Sequence, residues 1–234
     1  MPPADTGRLV AVCGADGTGK TTQTRLLVQW ARETGLPVET MSFPRYEDGF
    51  FGSLIRRYLQ GEMAGRAGEV DPYLAALPYA CDRWEAAPQL RRWLAEGCLV
   101  VCNRYVPANM AHQGAKIRDE DERARFYRWM MELEYDVFEL PRPDLHLLMD
   151  VPTDLSVRLL SEREADERPE GGSDIHERDT EYLRATSEAY REIARTMPGR
   201  WVVVECAEEG RLLSPGTIAE HVRAAVTRLM QDVE

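Results

Sequence analysis

The stretch Leu9-Val10-Ala11-Val12-Cys13-Gly14-Ala15-Asp16-Gly17-Thr18-Gly19-Lys20-Thr21-Thr22 decides how the rest of this chain is read. Its first five residues are apolar and short enough for a strand buried on both faces. The next eight, Gly14 to Thr21, fit the pattern GxxxxGK[ST], and a helical pattern follows them to Thr34. Between a strand and a helix, such glycines let the backbone fold so that its N–H groups and the helix N-terminus surround a phosphate anion. The residues expected to bind a nucleoside triphosphate are therefore Gly14, Ala15, Asp16, Gly17, Thr18, Gly19, Lys20, Thr21 and Thr22. Lys20 is placed to reach the β- and γ-phosphates, and the Thr21 hydroxyl to ligate Mg²⁺. By average composition, a chance match to this pattern is expected in about 1 in 100 chains of this size.

Lysine usage sharpens the reading. Of 29 basic residues only Lys20 and Lys116 are lysines, so arginine serves almost everywhere that a positive charge is needed. A compact ammonium on a flexible stem fits a tight phosphate loop better than a planar guanidinium does, which gives Lys20 a chemical reason to be lysine. Lys116 has no such reason and reads as a surface residue.

Outward from the loop, apolar strand candidates alternate with helical segments. The strands are Leu9–Cys13, Val38–Phe43, Leu99–Cys102, Leu145–Met149 and Trp201–Glu205. This alternation predicts an α/β fold with a five-stranded parallel sheet flanked by helices, each strand buried on both faces. Gly35, Gly61 and Gly97 fall where a helix ends on a left-handed residue, Asp71-Pro72 and Ser214-Pro215 where one begins, and Asp119-x-x-Glu122 resembles a capping box.

At 234 residues the chain suits one domain, expected to span 1–234, and no linker or internal repeat divides it. Within it, Glu162 to Asp174 is dense in charge and carries Pro169, Gly171 and Gly172, so a mobile lid is expected at about 162–174. Gly61 to Glu69 is a shorter loop of the same kind. The net charge of −11 argues against nucleic-acid binding, which needs a basic surface to displace counterions. No apolar run approaches the ~20 residues of a membrane span, and no secretion signal stands at the N-terminus. A cytoplasmic protein that binds neither membrane nor nucleic acid is expected, with its five cysteines reduced and buried. Four dispersed histidines and the absence of a G-x-S-x-G motif point away from a histidine metal site and from a nucleophilic triad.

Three further clusters carry the acceptor chemistry: Phe43-Pro44-Arg45, then Tyr79-Ala80-Cys81-Asp82-Arg83-Trp84-Glu85, then Asn103-Arg104-Tyr105 with Asn109, His112 and Gln113. Two of them lie at strand ends, where ligands gather on open parallel sheets. Tyr79 and Arg83, four apart, share a helix face on which a ring and a guanidinium can stack on each other or frame a planar ligand. In order and spacing these clusters resemble the thymidylate kinase family over most of residues 8 to 206, strongly through residue 116 and more weakly in the charged segment 162–174.

The resemblance implies a P-loop NTP hydrolase fold of the nucleotide kinase type, with ATP as co-substrate, Mg²⁺, dTMP as acceptor and a homodimer. It implies that Asp16 contacts the sugar 3′-hydroxyl, that Arg45 and Arg104 bind the 5′-phosphate, and that Tyr79 stacks on the base. Arg83 is then placed for the base O4, Asn109 for the base edge, and Phe43, His112 and Gln113 complete the acceptor site. Members differ in whether a catalytic arginine lies in the phosphate loop or in the lid. Gly17 holds the loop position, so Arg163 and Arg168 are expected to act with Lys20, Asp16 and Arg104, and Arg158 and Arg178 are held in reserve. Two residues depart from the pattern: Asn103, where aspartate is usual, bears on the rate, and His112, where tyrosine or phenylalanine is common, bears on sugar selectivity. The alternatives are a kinase for another or modified pyrimidine monophosphate, or a catalytically weak nucleotide-binding sensor.

Overall fold

The computed structural model describes residues 7–62, 70–166 and 180–232, with the backbone alone for 161–166. Five parallel strands form one sheet in the order β2-β3-β1-β4-β5: β1 Arg8–Cys13, β2 Val38–Ser42, β3 Leu99–Asn103, β4 Leu145–Asp150 and β5 Trp201–Glu205. These are the five expected strands, shifted by at most one residue at either end.

The alternation of β1 divides the core. Leu9, Ala11 and Cys13 face one side, where helices α3 (Pro72–Ala95), α4 (Val106–Gly114), α5 (Glu120–Met131) and α7 (Thr180–Thr196) pack through Leu90, Met110, Phe126 and Tyr190. Val10 and Val12 face the other side, where α1 (Lys20–Glu33) and α8 (Pro215–Gln231) pack through Leu27, Val28, Val222 and Val226. Two more helices, α2 (Phe50–Leu59) and α6 (Thr153–Asp166), stand over the carboxyl ends of the strands.

Burial on both faces holds for β1, β3 and β4 but not for the outer strands. No residue of β2 is fully buried, and in β5 only Val204 is. Both are sheet edges, and Thr40 and Ser42 in β2 already carry the polarity of an edge.

The predicted punctuation appears as geometry. Gly35, Gly61 and Gly97 all sit at φ 78°, the left-handed conformation that ends a helix. Asp71 accepts hydrogen bonds from the N–H groups of Tyr73 and Leu74, Asp119 from Glu122 and Ser214 from Thr217. One element was not foreseen, a two-stranded ribbon of β6 (Ala207–Glu208) and β7 (Arg211–Leu212). Its turn residues Glu209 and Gly210 both have positive φ, as a two-residue hairpin turn requires.

At the opposite end of the sheet from the phosphate loop, His146 lies in register with Trp201 and stacks on it, ring centroids 4.3 Å apart. Burial lowers its pKa from 6.5 to about 4. The neutral form is therefore the folded form. His146 stabilises fully above pH 6.5, and its contribution falls as pH drops from 6.5 toward 4, reaching a loss of roughly 2–3 kcal/mol near pH 4.5. In urea unfolding at pH 7.5 and 4.5, His146→Phe should lose less stability than wild type on acidification by about that amount. Equal losses in the two proteins would remove His146 as the cause.

Candidate functional site

Two cavities meet at the carboxyl ends of the strands, the place where open parallel sheets bind ligands. The first, of about 480 Å³, is built on the phosphate loop. Gly14, Gly17 and Gly19 all have positive φ. A Cβ on Gly17 would also lie 2.6 Å from the Ser156 carbonyl oxygen, so glycine is required there twice over. The loop folds back on itself, with Thr18 Oγ1 donating to the Ala15 carbonyl at 2.9 Å and Lys20 Nζ to the same carbonyl at 2.5 Å. Lys20 is buried, 3.9 Å from Asp16. Every predicted nucleotide residue from Asp16 to Thr22 lines this cavity. Leu212, Leu213 and Pro215 form an apolar wall that motif reading missed, delivered by β7 and the start of α8.

Thr21 receives a hydrogen bond from Asn103 Nδ2 at 3.3 Å, while Asn103 Oδ1 is buried without a partner among the described residues. The Thr21 hydroxyl lines this cavity and is a hard oxygen donor of the kind that suits Mg²⁺, with the Asn103 amide nitrogen beside it.

The second cavity is lined by Phe43, Tyr79, Arg83, Asn109, His112 and Gln113 among others, all of them predicted acceptor residues. Asp16 and Arg104 line both cavities and so stand at their junction. Arg104 follows β3 at φ 65°, a left-handed conformation that is uncommon outside glycine, and its N–H donates to the Val12 carbonyl at 2.9 Å. Its guanidinium pairs with Asp16 through Nη2. Burial alone would raise the Asp16 pKa, but Arg104, supported by Lys20, outweighs it and holds the carboxyl well below the usual range.

Arg104 Nη1 also lies 3.1 Å from His112 Nε2. Guanidinium can only donate, so Nε2 accepts and the ring proton sits on Nδ1, 3.1 Å from the Tyr182 hydroxyl. That hydroxyl donates to the His112 carbonyl at 3.0 Å. Tyr182, on α7, thus lines the second cavity without having been predicted to.

Two arginines are held by carboxylates to which their motifs did not point. Arg45 does not line either cavity, because Asp82 accepts from its N–H and Nε, both at 3.0 Å, and Glu85 from its Nη2 at 2.7 Å. Arg83 lines the second cavity with Tyr79 but pairs with Glu134, a residue 51 positions away, rather than with the Tyr79 ring. Burial would lower the Arg83 pKa, yet the Glu134 carboxylate holds it above its ordinary value. Asp82, Glu85 and Glu134 were all absent from the predicted site.

Of the predicted lid arginines, Arg163 falls on the backbone of α6, and Arg168, with the reserve candidate Arg178, lies outside the described residues. Arg158 is exposed on α6. The first residues of the expected lid, as far as Asp166, continue that helix, and the remainder lies outside the described residues. Lys116 donates to Gln113 Oε1 at 2.8 Å. All five cysteines are free and four are buried, burial pushing the Cys13 thiol up to about 12.

A family model described as thymidylate kinase matches residues 12–213. The chain is 31% identical over 212 residues to a thymidylate kinase of Mycobacterium tuberculosis, covering 90% of this chain and 95% of that protein. It is 33% identical over 222 residues to the thymidylate kinase of Thermomicrobium roseum, covering 93% of each. A probable thymidylate kinase of Pyrococcus horikoshii is 32% identical over 158 residues, 67% of this chain and 71% of that protein.

Proposed function

The chain belongs to the thymidylate kinase family, and from that premise we propose that it transfers the γ-phosphoryl group of ATP to dTMP, giving dTDP and ADP. The observation that carries this reading is the junction: Asp16 and Arg104 are shared by a phosphate-loop cavity and a cavity walled by rings and base-reading groups. An acceptor phosphate oxygen in the second cavity attacks the γ-phosphorus in the first. The new P–O bond forms as the bond to the β,γ-bridging oxygen breaks, and ADP leaves. Such a transfer needs positioning and charge neutralisation rather than a covalent nucleophile.

In this reading the loop amides and Lys20 hold the triphosphate, and Arg104 holds the acceptor phosphate in line with it. Asp16 takes the sugar hydroxyl and keeps Arg104 in place. Tyr79 stacks on the base, while Arg83 and Asn109 face its polar edge. Arg45, held through Nε and Nη2 by Asp82 and Glu85, is proposed to offer Nη1 to the same phosphate. Arg163 and Arg168 are proposed as the further source of positive charge. Thr21, with Asn103 beside it, would hold Mg²⁺, which when bound neutralises charge on the β- and γ-phosphates. Nothing favours a different acceptor or a non-catalytic sensor. Initial rates of ADP release over a panel of nucleoside monophosphates test the assignment, and good turnover of another monophosphate with none of dTMP would refute it.

A homodimer is proposed through α3. Leu74, Leu77, Cys81, Trp84 and Pro88 recur at alternating spacings of three and four, with Leu74 63% and Trp84 52% exposed. That spacing is the seam of two packed helices. Sedimentation equilibrium should give a dimer for wild type and a shift toward monomer for Trp84→Glu, whereas an unchanged mass would place the interface elsewhere. No helix among the described residues is long and apolar enough to cross a membrane. A cytoplasmic location and the absence of a nucleic-acid partner remain part of the proposal, the latter supported by the net charge of −11.

A further inference from the structure

Behind the base-reading groups lies a buried cluster that phosphoryl transfer does not itself require. Glu134 is 0% exposed and sits on a π-helical segment, Glu132–Val137, that continues α5. Single π-turns inside helices are rare and recur at functional sites, because the extra residue re-aims a side chain. Here the re-aimed carboxylate takes Arg83 in a fork, Nε to Oε2 and Nη2 to Oε1, each at 2.5 Å. The fork occupies one edge of the guanidinium. Nη1 makes no hydrogen bond among the described residues, and it belongs to a side chain that lines the acceptor cavity.

Asn109 completes the cluster. Its Nδ2 donates to the Ala76 carbonyl at 3.0 Å and, at 3.4 Å, to Glu134 Oε1. Both partners accept only, so the amide has one permitted orientation. Its Oδ1 is then turned away from them, buried and without a partner among the described residues, on a side chain 4% exposed that also lines the cavity. The polar atoms left uncommitted on these two cavity-lining side chains are therefore a donor, Arg83 Nη1, and an acceptor, Asn109 Oδ1. A uracil-type ring presents the complement, the O4 acceptor beside the N3–H donor. A cytosine ring presents an N4 amino donor beside a bare N3, which meets like with like at both positions.

We propose that Glu134 is the positioning residue that sets this selectivity, locking Arg83 as a donor and fixing the Asn109 amide so that the site takes uracil-type and rejects cytosine-type monophosphates. Glu134 acts through Arg83 and Asn109 and touches no substrate. The inference rests on reading the second cavity as the pyrimidine monophosphate site.

Glu134→Gln tests it. The glutamine amide brings one N–H group against a guanidinium that can only donate, and it weakens the demand that turns Asn109. With ATP saturating, kcat/KM for dTMP should fall about 10–100-fold, mostly through KM. The preference for dTMP over dCMP should narrow at least about tenfold, with KM for ATP within about twofold of wild type. A folded Glu134→Gln enzyme that keeps the wild-type dTMP to dCMP ratio, whatever its rate, would overturn the proposal and leave Glu134 a stabilising residue only. Should that variant not fold, Glu134→Asp keeps the charge and shortens the reach, and its ratio should fall below that of wild type. An unchanged ratio there would overturn the proposal equally. The pocket reading fails separately and earlier, if the wild-type enzyme shows no preference for dTMP over dCMP.

Discussion

Lys20→Ala is expected to lower kcat by at least about 10²–10³-fold while the protein stays folded, the scale of losing one preorganised donor from a transition state. Lys20 is buried inside the loop, and its ammonium lies 2.5 Å from the Ala15 carbonyl, so it is held where triphosphate oxygens would come. No other lysine can take over. Lys116, the second of the two, pairs with Gln113 at the end of α4. The sharper variant is Lys20→Arg, which keeps the charge that this chain prefers nearly everywhere else. The loop closes around Lys20 with Gly14, Gly17 and Gly19 at positive φ, and a planar fork has neither the compactness nor the rotational freedom of an ammonium. Steady-state rates together with thermal melts check both variants. A Lys20→Arg enzyme with wild-type kcat would contradict a tight loop, and a Lys20→Ala enzyme that is inactive because it is unfolded would show in the melt.

Asn103→Asp is expected to gain activity, raising kcat or lowering the Mg²⁺ concentration for half-maximal rate by an amount equivalent to roughly 1–3 kcal/mol. The physical reason lies in the hydrogen bond to Thr21. As asparagine, residue 103 donates to the Thr21 hydroxyl oxygen at 3.3 Å and so engages one of the lone pairs that a cation would use. A carboxylate at the same place can only accept. It would take the hydroxyl proton, turn the oxygen lone pairs outward and add a negative charge beside the ion. Because aspartate is isosteric with asparagine and β3 is held in register with β1, Val12 opposite Asn103, the substitution needs no backbone movement. Titration of the rate with Mg²⁺ at saturating nucleotides decides the matter. An unchanged or slower Asn103→Asp enzyme would mean that the site is built around the amide.

The parts of the site that could be read from sequence are those whose chemistry is contiguous. The phosphate loop works through backbone N–H groups and glycine conformations over eight successive residues, so one motif carries it whole. The residues expected to bind the acceptor, Tyr79 and Arg83 on α3 and Asn109 and His112 on α4, fall at helical spacing, and all line one cavity. Their partners were invisible for the opposite reason. Glu134 is one of 40 acidic residues, and nothing local distinguishes it, since its meeting with Arg83 is made by the packing of α5 and its π-helical extension against α3. Asp82 and Glu85 sat within a quoted motif, yet their hold on Arg45 needed the approach of the segment after β2 to α3. A buried arginine on an inner helix face was the available signal that a carboxylate must be found for it. For the sheet, apolar runs located all five strands, but the polar Thr40 and Ser42 of β2 were the neglected sign of an edge.

Transfer of label from [γ-³²P]ATP to dTMP, with the products separated and counted, tests the central claim most directly. Wild-type protein with Mg²⁺ is predicted to move the label into dTDP in step with ADP formation, with little label released as inorganic phosphate. Label appearing only as inorganic phosphate, or in no product when dTMP is present, would contradict a kinase in which Asp16 and Arg104 join the two nucleotide cavities.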